Sequence, residues 1–166
     1  MLTDLNPPPA EPVTLAEAKA FLRVDHDDDD ALIQTLIASA RERLETHLNI
    51  AMITRSMQVS TATSGTVRLP RWPVASVQTV RFDEEETAEA VINLRCRPAT
   101  VTYRAADLAE ITFTAGYGLD PQDVPAPLRQ AMLLLVAQGF EHRDGAPSSL
   151  PLMVDALTMP YRVVGL

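Results

Sequence analysis

The chain has 166 residues, of which 46% are hydrophobic, and its formal net charge is −8. This length and composition predict one globular domain and exclude a disordered tail or a fibrous protein. We expect neither membrane insertion nor secretion, because no apolar run approaches about 18 residues and the first residues lack a signal-peptide pattern. The acidic balance also argues against an outer surface that grips nucleic acid, although it allows DNA to pass by.

A short helix is predicted near the N-terminus, after a proline-rich extended segment at residues 6–12. Thr14 and Glu17 have the spacing of a capping box, in which each side chain bonds the backbone N–H of the other residue. The sequence therefore predicts a helix that begins after Thr14 and runs to about Leu22.

A long helix is predicted after the acidic run Asp27–Asp30, and it completes the N-terminal helices expected over residues 13–49. Apolar residues return every three or four positions, which is typical of one buried helical face. These residues are Ile33, Ile37, Ala40, Leu44 and Leu48. Arg41 and Glu45 are predicted to pair one turn apart on the opposite face, and Asn49 is predicted to end the helix in a left-handed conformation.

A β region is predicted over residues 53–115, because the hydrophobic period changes to two from Ile53 onward. A turn at Ser64-Gly65 predicts a hairpin between the first strand and Thr66–Leu69. Further strands are predicted at Ser76–Phe82, Val91–Leu94, Thr100–Tyr103 and Ile111–Ala115. The region is therefore expected to form a small, mostly antiparallel sheet.

A second long helix is predicted over residues 126–142. Leu133 and Leu134 make this helix apolar almost all round, so one of its faces is expected to be covered by a neighbouring subunit. Residues 148–166 show no period and contain Pro151 and Pro160, which predicts an extended tail.

These elements predict an α+β fold, namely a helical bundle of long helices with an inserted small, mostly antiparallel sheet. We expect one domain over residues 1–166, with the N-terminal helices at 13–49, the β insertion at 53–115, the long helix at 126–142 and the extended tail at 148–166.

No catalytic residue, metal site or cofactor is predicted. The single cysteine, Cys96, excludes an intrachain disulfide and a multi-cysteine zinc site, and no histidine is spaced to act as its base. The acidic run lacks the glycine and the distal glutamate of a calcium loop, so its carboxylates are expected to cap a helix or face solvent. We expect a protein without enzymatic activity; a small metal-dependent or cysteine hydrolase and a monomeric protein-binding module are alternatives of other classes.

Several short motifs follow one another along nearly the whole chain. They are Val13–Lys19, Leu22–Asp25, Asp27–Ile33, Ala40-Arg41, Leu69–Val74, Ala115–Gly118, Val124–Arg129 and Pro160–Val163. This ordered set resembles the head-tail connector (adaptor) family of tailed phages and phage-like gene transfer agents.

The resemblance implies a structural protein that forms a ring, expected to be dodecameric, between the capsid portal and the tail. The implied partners are further copies of the chain, the portal protein and a stopper or tail-completion protein. Double-stranded DNA would pass through without sequence-specific binding. The implied location is the head-tail junction of a virion or phage-like particle, after assembly in the bacterial cytoplasm. A stopper or tail-completion protein of the same particle is the alternative.

Three sets of residues are candidates for these roles. The resemblance implies that the C-terminal segment reaches into the portal, and the docking candidates are Leu157, Tyr161, Arg162, Val163 and Val164. The subunit-interface candidates are Leu133, Leu134, Arg71 and Trp72. The acidic candidates for the DNA conduit are Asp27, Asp28, Asp29 and Asp30, because like charge keeps the duplex from sticking. An alternative for the tail is that Leu150, Leu152, Val154 and Leu157 fold back on the domain's own sheet.

Overall fold

The computed structural model describes residues 1–62, 65–83, 85–86, 90–103, 108–142 and 149–163. In this part of the chain, four α-helices and two antiparallel sheets form an α+β fold, as predicted. Two of the helices are long and two are short, so the expectation of a bundle of long helices is not confirmed in that detail. Among the described residues, no helix is both long and apolar enough to cross a membrane.

The helices pack together into one layer around a hydrophobic cluster. They are Leu15–Leu22 (α1), Asp30–Leu48 (α2), Ala126–Glu141 (α3) and Leu152–Thr158 (α4). Helix α3 contacts each of the other three. Ile33 and Leu44 of α2 and Leu128 and Met132 of α3 are fully buried in this cluster, which we call the helical core.

The predicted capping box at the start of α1 is confirmed. The N–H of Glu17 donates to Oγ1 of Thr14 at 3.2 Å, and the N–H of Thr14 donates to Oε2 of Glu17 at 2.9 Å. This second bond is the main reason that the pKa of the Glu17 carboxyl lies below its usual value. Arg129 of α3 also binds Glu17, so the cap ties α1 to α3.

We expect Thr14→Ala to lower the free energy of unfolding by about 1 kcal/mol, the usual cost of losing an N-cap hydroxyl. The Thr14 hydroxyl also donates to the Glu17 carboxylate at 2.9 Å, so part of this loss depends on an ionised Glu17. A carboxyl whose pKa is lowered on folding adds stability above its unfolded pKa, and that stability disappears as the pH falls through the folded pKa. Urea unfolding should therefore show a difference from wild type that shrinks in acid, whereas Thr14→Ser should stay near wild type. A constant difference at every pH would contradict the coupling.

Helix α2 buries the predicted apolar face and ends at Asn49, which has a left-handed φ of 57°. The predicted pair Arg41 and Glu45 does form, but its predicted position on the solvent side is wrong. Both residues are buried, with relative exposures of 6% and 2%. The reason is that the start of the sheet lies against this face and supplies Arg55 as a further partner for Glu45.

Within the described ranges, eight strands form the two sheets. They are Leu2–Asp4 (β1), Arg55–Thr61 (β2), Thr66–Arg68 (β3), Val74–Phe82 (β4), Glu85–Glu86 (β5), Val91–Asn93 (β6), Thr100–Thr102 (β7) and Ala109–Ala115 (β8). The first sheet has the order β1-β2-β8-β4-β5, and the second has the order β3-β7-β6. Buried residues of both sheets, among them Met57 and Phe113 of the first and Val101 of the second, form a second hydrophobic cluster.

The predicted hairpin between the first strand and Thr66–Leu69 is wrong. Strand β2 lies between β1 and β8, whereas β3 pairs with β7 in the other sheet. Ser64 of the predicted turn lies outside the described residues. Alternating hydrophobicity shows which face of a strand is buried but not which strand lies beside it. The N-terminal strand β1 also belongs to the first sheet, so the β structure is not confined to residues 53–115.

The prediction of an extended C-terminal tail is wrong where the structure describes it. Residues 152–158 form α4, and a short 3-10 turn follows at Met159–Tyr161. Pro151 occupies the cap position before α4, where its missing N–H removes no helical hydrogen bond. Val154 and Thr158 are fully buried, which gives this helix a reason to form on the domain.

Candidate functional site

Two of the sequence motifs, Leu69–Val74 and Ala115–Gly118, meet residues 51–54 where the helical core joins the first sheet. Backbone hydrogen bonds of 2.8 to 3.1 Å connect residues 51–54 to Trp72 and to residues 117–118, and another of 2.9 Å joins Gly116 to Pro73. Gly116 has a φ of 143°, and a Cβ atom at this position would lie 2.3 Å from the backbone of Thr54. These motifs therefore position the sheet on the helices rather than form a pocket for a ligand.

A buried ion network lies beside this joint and is centred on Glu45. The Glu45 carboxylate accepts two hydrogen bonds from the Arg55 guanidinium, at 2.8 and 3.0 Å. It also accepts one from Arg41 at 3.3 Å and one from the backbone N–H of Met52 at 2.7 Å. Four donors on one buried carboxylate compensate its loss of hydration.

Each arginine of the network has a second carboxylate nearer the surface. Arg41 donates to Glu11 at 2.9 Å, and Arg55 donates to Asp4 at 3.1 Å. Burial alone would lower the pKa of both guanidinium groups, but these carboxylates and Glu45 raise it above the usual value. The network thus connects the N-terminal segment to α2 and β2 with its charges paired.

A cavity of about 350 Å³ adjoins the network and is lined by Pro7, Pro8, Arg41, Glu45, Arg55 and Arg71, among others. Arg71 differs from the other two arginines, because it makes no hydrogen bond or ion pair within the described residues. Its Nε atom is buried without a partner, and burial lowers the pKa of this guanidinium. The sequence singled out Arg71 as an interface residue, but its unpaired Nε atom becomes visible only in the structure.

Leu133 and Leu134 do not form the open face that the sequence predicts. Both are half-buried and pack against the helical core. Helix α3 is covered by α1, α2 and α4 of its own chain, which accounts for its apolar character without a neighbour. Their place at a subunit interface stays a prediction.

Trp72 is half-buried against the helical core and is linked to the C-terminal segment. The Arg97 guanidinium lies 5.5 Å from the centroid of the Trp72 ring, a cation-π distance. Arg97 also donates to the carbonyl of Tyr161 at 2.9 Å. Through Arg97, the aromatic ring therefore helps to hold the segment at Tyr161 as well as the joint with the sheet.

The portal-docking candidates do not form one exposed set. Val163 is buried, and its N–H donates to the carbonyl of Leu48 at 3.0 Å. Leu157 and Tyr161 are half-buried, Arg162 is exposed, and Val164 lies outside the described residues. Three other side chains of the same segment are apolar and exposed but were not among the candidates, namely Leu152, Met153 and Met159 at 90%, 65% and 72% exposure. Their helical spacing could have indicated this outer face.

The acidic run is largely committed to local structure. Lys19 of α1 binds Asp27 and Asp30 at 2.7 Å each. The pKa of its ammonium group lies above the usual value, mainly because of the hydrogen bond to Asp27 and also because of the one to Asp30. Asp29 occupies the N-cap position of α2, where its backbone carbonyl, and not its carboxylate, accepts the N–H of Ile33 at 2.9 Å. Asp28 is different, because its side chain is 96% exposed and its one such contact among the described residues is with the His26 ring at 3.9 Å.

The described residues show no grouping of three or more histidine, cysteine or acidic side chains able to hold a metal ion. The Sγ atom of Cys96 lies 3.2 Å from the carbonyl of Asn93 and 3.5 Å from the hydroxyl of Thr100. These contacts fasten a loop beside the second sheet and provide no base for a nucleophile.

Comparisons with known proteins place the chain among particle components. Residues 12–112 match the family described as phage gp6-like head-tail connector protein. No curated protein matches the chain.

Solved structures are similar over the whole chain. A chain from the "Neck of empty GTA particle computed with C6 symmetry" matches with a TM-score of 0.84 and 26% identity, over 100% of this chain and 97% of that one. A chain from the "Virion of native gene transfer agent (GTA) particle" matches with a TM-score of 0.82 and 25% identity over the same shares. The resemblance seen in the sequence is confirmed, and because the family match spans more than half of the residues, the chain belongs to the phage gp6-like head-tail connector proteins.

Proposed function

We propose that this protein is a structural ring adaptor in the neck of a phage-like particle, between the portal and the tail. The observation that carries the proposal is the family match over residues 12–112, together with a likeness to a gene transfer agent neck over the full length of the chain. The described residues offer binding surfaces and a paired ion network, which suit a scaffold with no chemical step to perform. Assembly in the bacterial cytoplasm, before the particle is complete, belongs to the same proposal.

The ring is proposed to contain twelve copies. The similar neck was computed with C6 symmetry, which a ring of six or twelve copies satisfies. A cyclic ring needs two different faces on each copy, one for each neighbour.

Portal docking is proposed to use the outer face of α4 and the residues after it. Leu152, Met153 and Met159 present apolar side chains to solvent, which is the type of surface that a partner covers. Arg162 adds a guanidinium at the edge of this face. Val163, in contrast, is proposed to hold the segment on its own domain.

Passage of DNA is proposed to run past the acidic run Asp27–Asp30. The net charge of −8 and the exposure of Asp28 support a wall that repels phosphates. Lys19 neutralises part of the run, so the repulsion would come mainly from Asp28.

Co-expression with the cognate portal protein tests the function. We expect the chain to co-purify with the portal as a ring that negative-stain images and native mass spectrometry resolve, and we expect Cys96→Ser to assemble equally well. Locating the chain in density of purified particles would separate an adaptor, which touches the portal, from a stopper or tail-completion protein, which lies farther along the axis. A chain that stays monomeric with the portal and is absent from particles would contradict the proposal.

A further inference from the structure

Three exposed arginines lie around the end of the C-terminal segment, and we call them the arginine cluster: Arg68, Arg97 and Arg162. Arg68 lines a cavity of about 230 Å³ together with residues 98 and 163. Arg97 donates to the carbonyl of Tyr161 at 2.9 Å, and Arg162 is the next residue in the chain. The second sheet and the C-terminal segment thus bring three guanidinium groups to one part of the surface.

The arginine cluster has no carboxylate of its own. In the part of the chain that the structure describes, the arginine ion pairs belong to Arg41, Arg55 and Arg129 instead. The chain has 22 acidic residues against 14 basic ones, so a group of cations without an acid beside it runs against the overall composition. Like charges that lie close together repel one another, and an incoming anion would relieve this repulsion.

The acidic run cannot supply that anion within the same chain. It lies at the start of α2, whereas the N–H of Val163 binds the carbonyl of Leu48 at the other end of this helix. At a rise of 1.5 Å per residue, the two ends of α2 are about 27 Å apart.

The arginine cluster continues the outer face of α4. Met159 is 72% exposed, and it is followed within three residues by Tyr161, which Arg97 holds, and by the exposed Arg162. The apolar and the basic parts therefore form one continuous surface, and a partner that covers the first also reaches the second.

We propose that the arginine cluster binds an acidic segment of the portal protein. This inference rests on the proposed function, because it gives the chemistry of the portal surface that meets the C-terminal segment. Guanidinium groups present paired N–H donors that match the two oxygens of a carboxylate, and clusters of arginines are a common way to recognise acidic segments. The apolar side chains of α4 would supply contact area, and the arginines would set the orientation of the portal segment.

The first test combines Arg68→Gln and Arg162→Gln in the full-length chain, and it leaves Arg97 in place because that side chain holds Tyr161. The matched control combines Arg23→Gln and Arg81→Gln, which are exposed arginines at the end of α1 and in β4. The cluster variant should bind immobilised portal about fivefold more weakly at low salt, as expected for two lost charge pairs that stay partly hydrated. Its melting temperature should stay within about 2 °C of wild type. The control should match wild type in both measurements.

The second test separates charge from packing. Added salt should weaken the binding of the wild-type chain to the portal and reduce the difference from the cluster variant, because ions screen the attraction. Arg68→Lys with Arg162→Lys should keep most of the affinity, whereas Arg68→Glu with Arg162→Glu should bind more weakly than the glutamine variant. Affinities that do not follow this order of charge would overturn the inference.

Other outcomes separate the inference from the proposed function. Equal portal affinity for the cluster variant and the control would overturn the inference while the ring adaptor stands. A cluster variant that binds the portal normally but forms no rings in native mass spectrometry would assign the arginines to a second copy. One that binds the portal normally but loses affinity for a DNA duplex would assign them to phosphates, and either result overturns the inference. A wild-type chain without affinity for the portal contradicts both the inference and the proposed function.

Discussion

Replacing Glu45 with glutamine should lower the free energy of unfolding by about 3 kcal/mol or more, the usual loss when one partner of a buried ion pair is removed. Glu45 is 2% exposed and accepts hydrogen bonds from Arg55, Arg41 and the backbone of Met52. Glutamine keeps the size of the side chain but removes the negative charge. Two buried guanidinium groups would then depend on the more exposed carboxylates of Glu11, Glu42 and Asp4.

The matched control is Glu42→Gln on the same helix. The Glu42 side chain is 70% exposed, and its contact with Arg41 is 3.4 Å long. Such a pair adds little to stability, so we expect a change within about 0.5 kcal/mol. Chemical denaturation of both variants at neutral pH measures the difference. Equal small losses would show that the Glu45 network does not hold α2 to the sheet.

Truncation after Ser149 should lower the free energy of unfolding by about 3 to 5 kcal/mol, which corresponds to roughly 10 °C in melting temperature. The removed segment buries Val154 and Val163 in the helical core, and it packs Leu150 and Tyr161 partly against the same core. It also supplies the hydrogen bond from the N–H of Val163 to the carbonyl of Leu48, the last residue of α2. Thermal unfolding of the isolated chain measures this contribution.

The control for the truncation alters only the outer face of α4. Leu152→Ser with Met153→Ser changes side chains that are 90% and 65% exposed, so the melting temperature should stay within about 2 °C of wild type, as for surface substitutions. Under the proposed docking, the same double variant should bind the portal more weakly. A truncated chain that keeps its full melting temperature would mean that α4 does not stabilise the domain. Tailed, DNA-retaining particles made with the truncated chain would refute docking through this segment.

Folding back and docking are compatible because they use opposite sides of one helix. Val154 and Thr158 face the domain and are fully buried, whereas Leu152, Met153 and Met159 are exposed. The alternative that the tail folds back is therefore the arrangement the structure has, although the segment packs on the helical core rather than on the sheet.

Local sequence patterns were sufficient to predict the elements that depend on interactions between residues close together in the chain. The capping box of Thr14 and Glu17, the apolar face of α2 and the stop at Asn49 depend on residues within a few positions of one another. The strands at Val74–Phe82 and Ala109–Ala115 and the helix at Ala126–Glu141 were likewise predicted from their own periods, to within about two residues. The order of several unspecific motifs was also sufficient to indicate the family.

Tertiary structure alone decided how these elements pair and which charges are left over. The partners of β2 and β3 depend on contacts between residues far apart in sequence, which no local turn signal describes. The sequence alone indicates an exposed pair of Arg41 and Glu45. In the fold, Arg55 of β2 also pairs with Glu45, and this interaction offsets the desolvation cost of burying the charges. Helix α4 forms because the helical core offers a place for Val154, although its flanking prolines suggest an extended chain. The unpaired Nε atom of Arg71 is a property of its surroundings, because folding decides which acceptors come within hydrogen-bond distance of it.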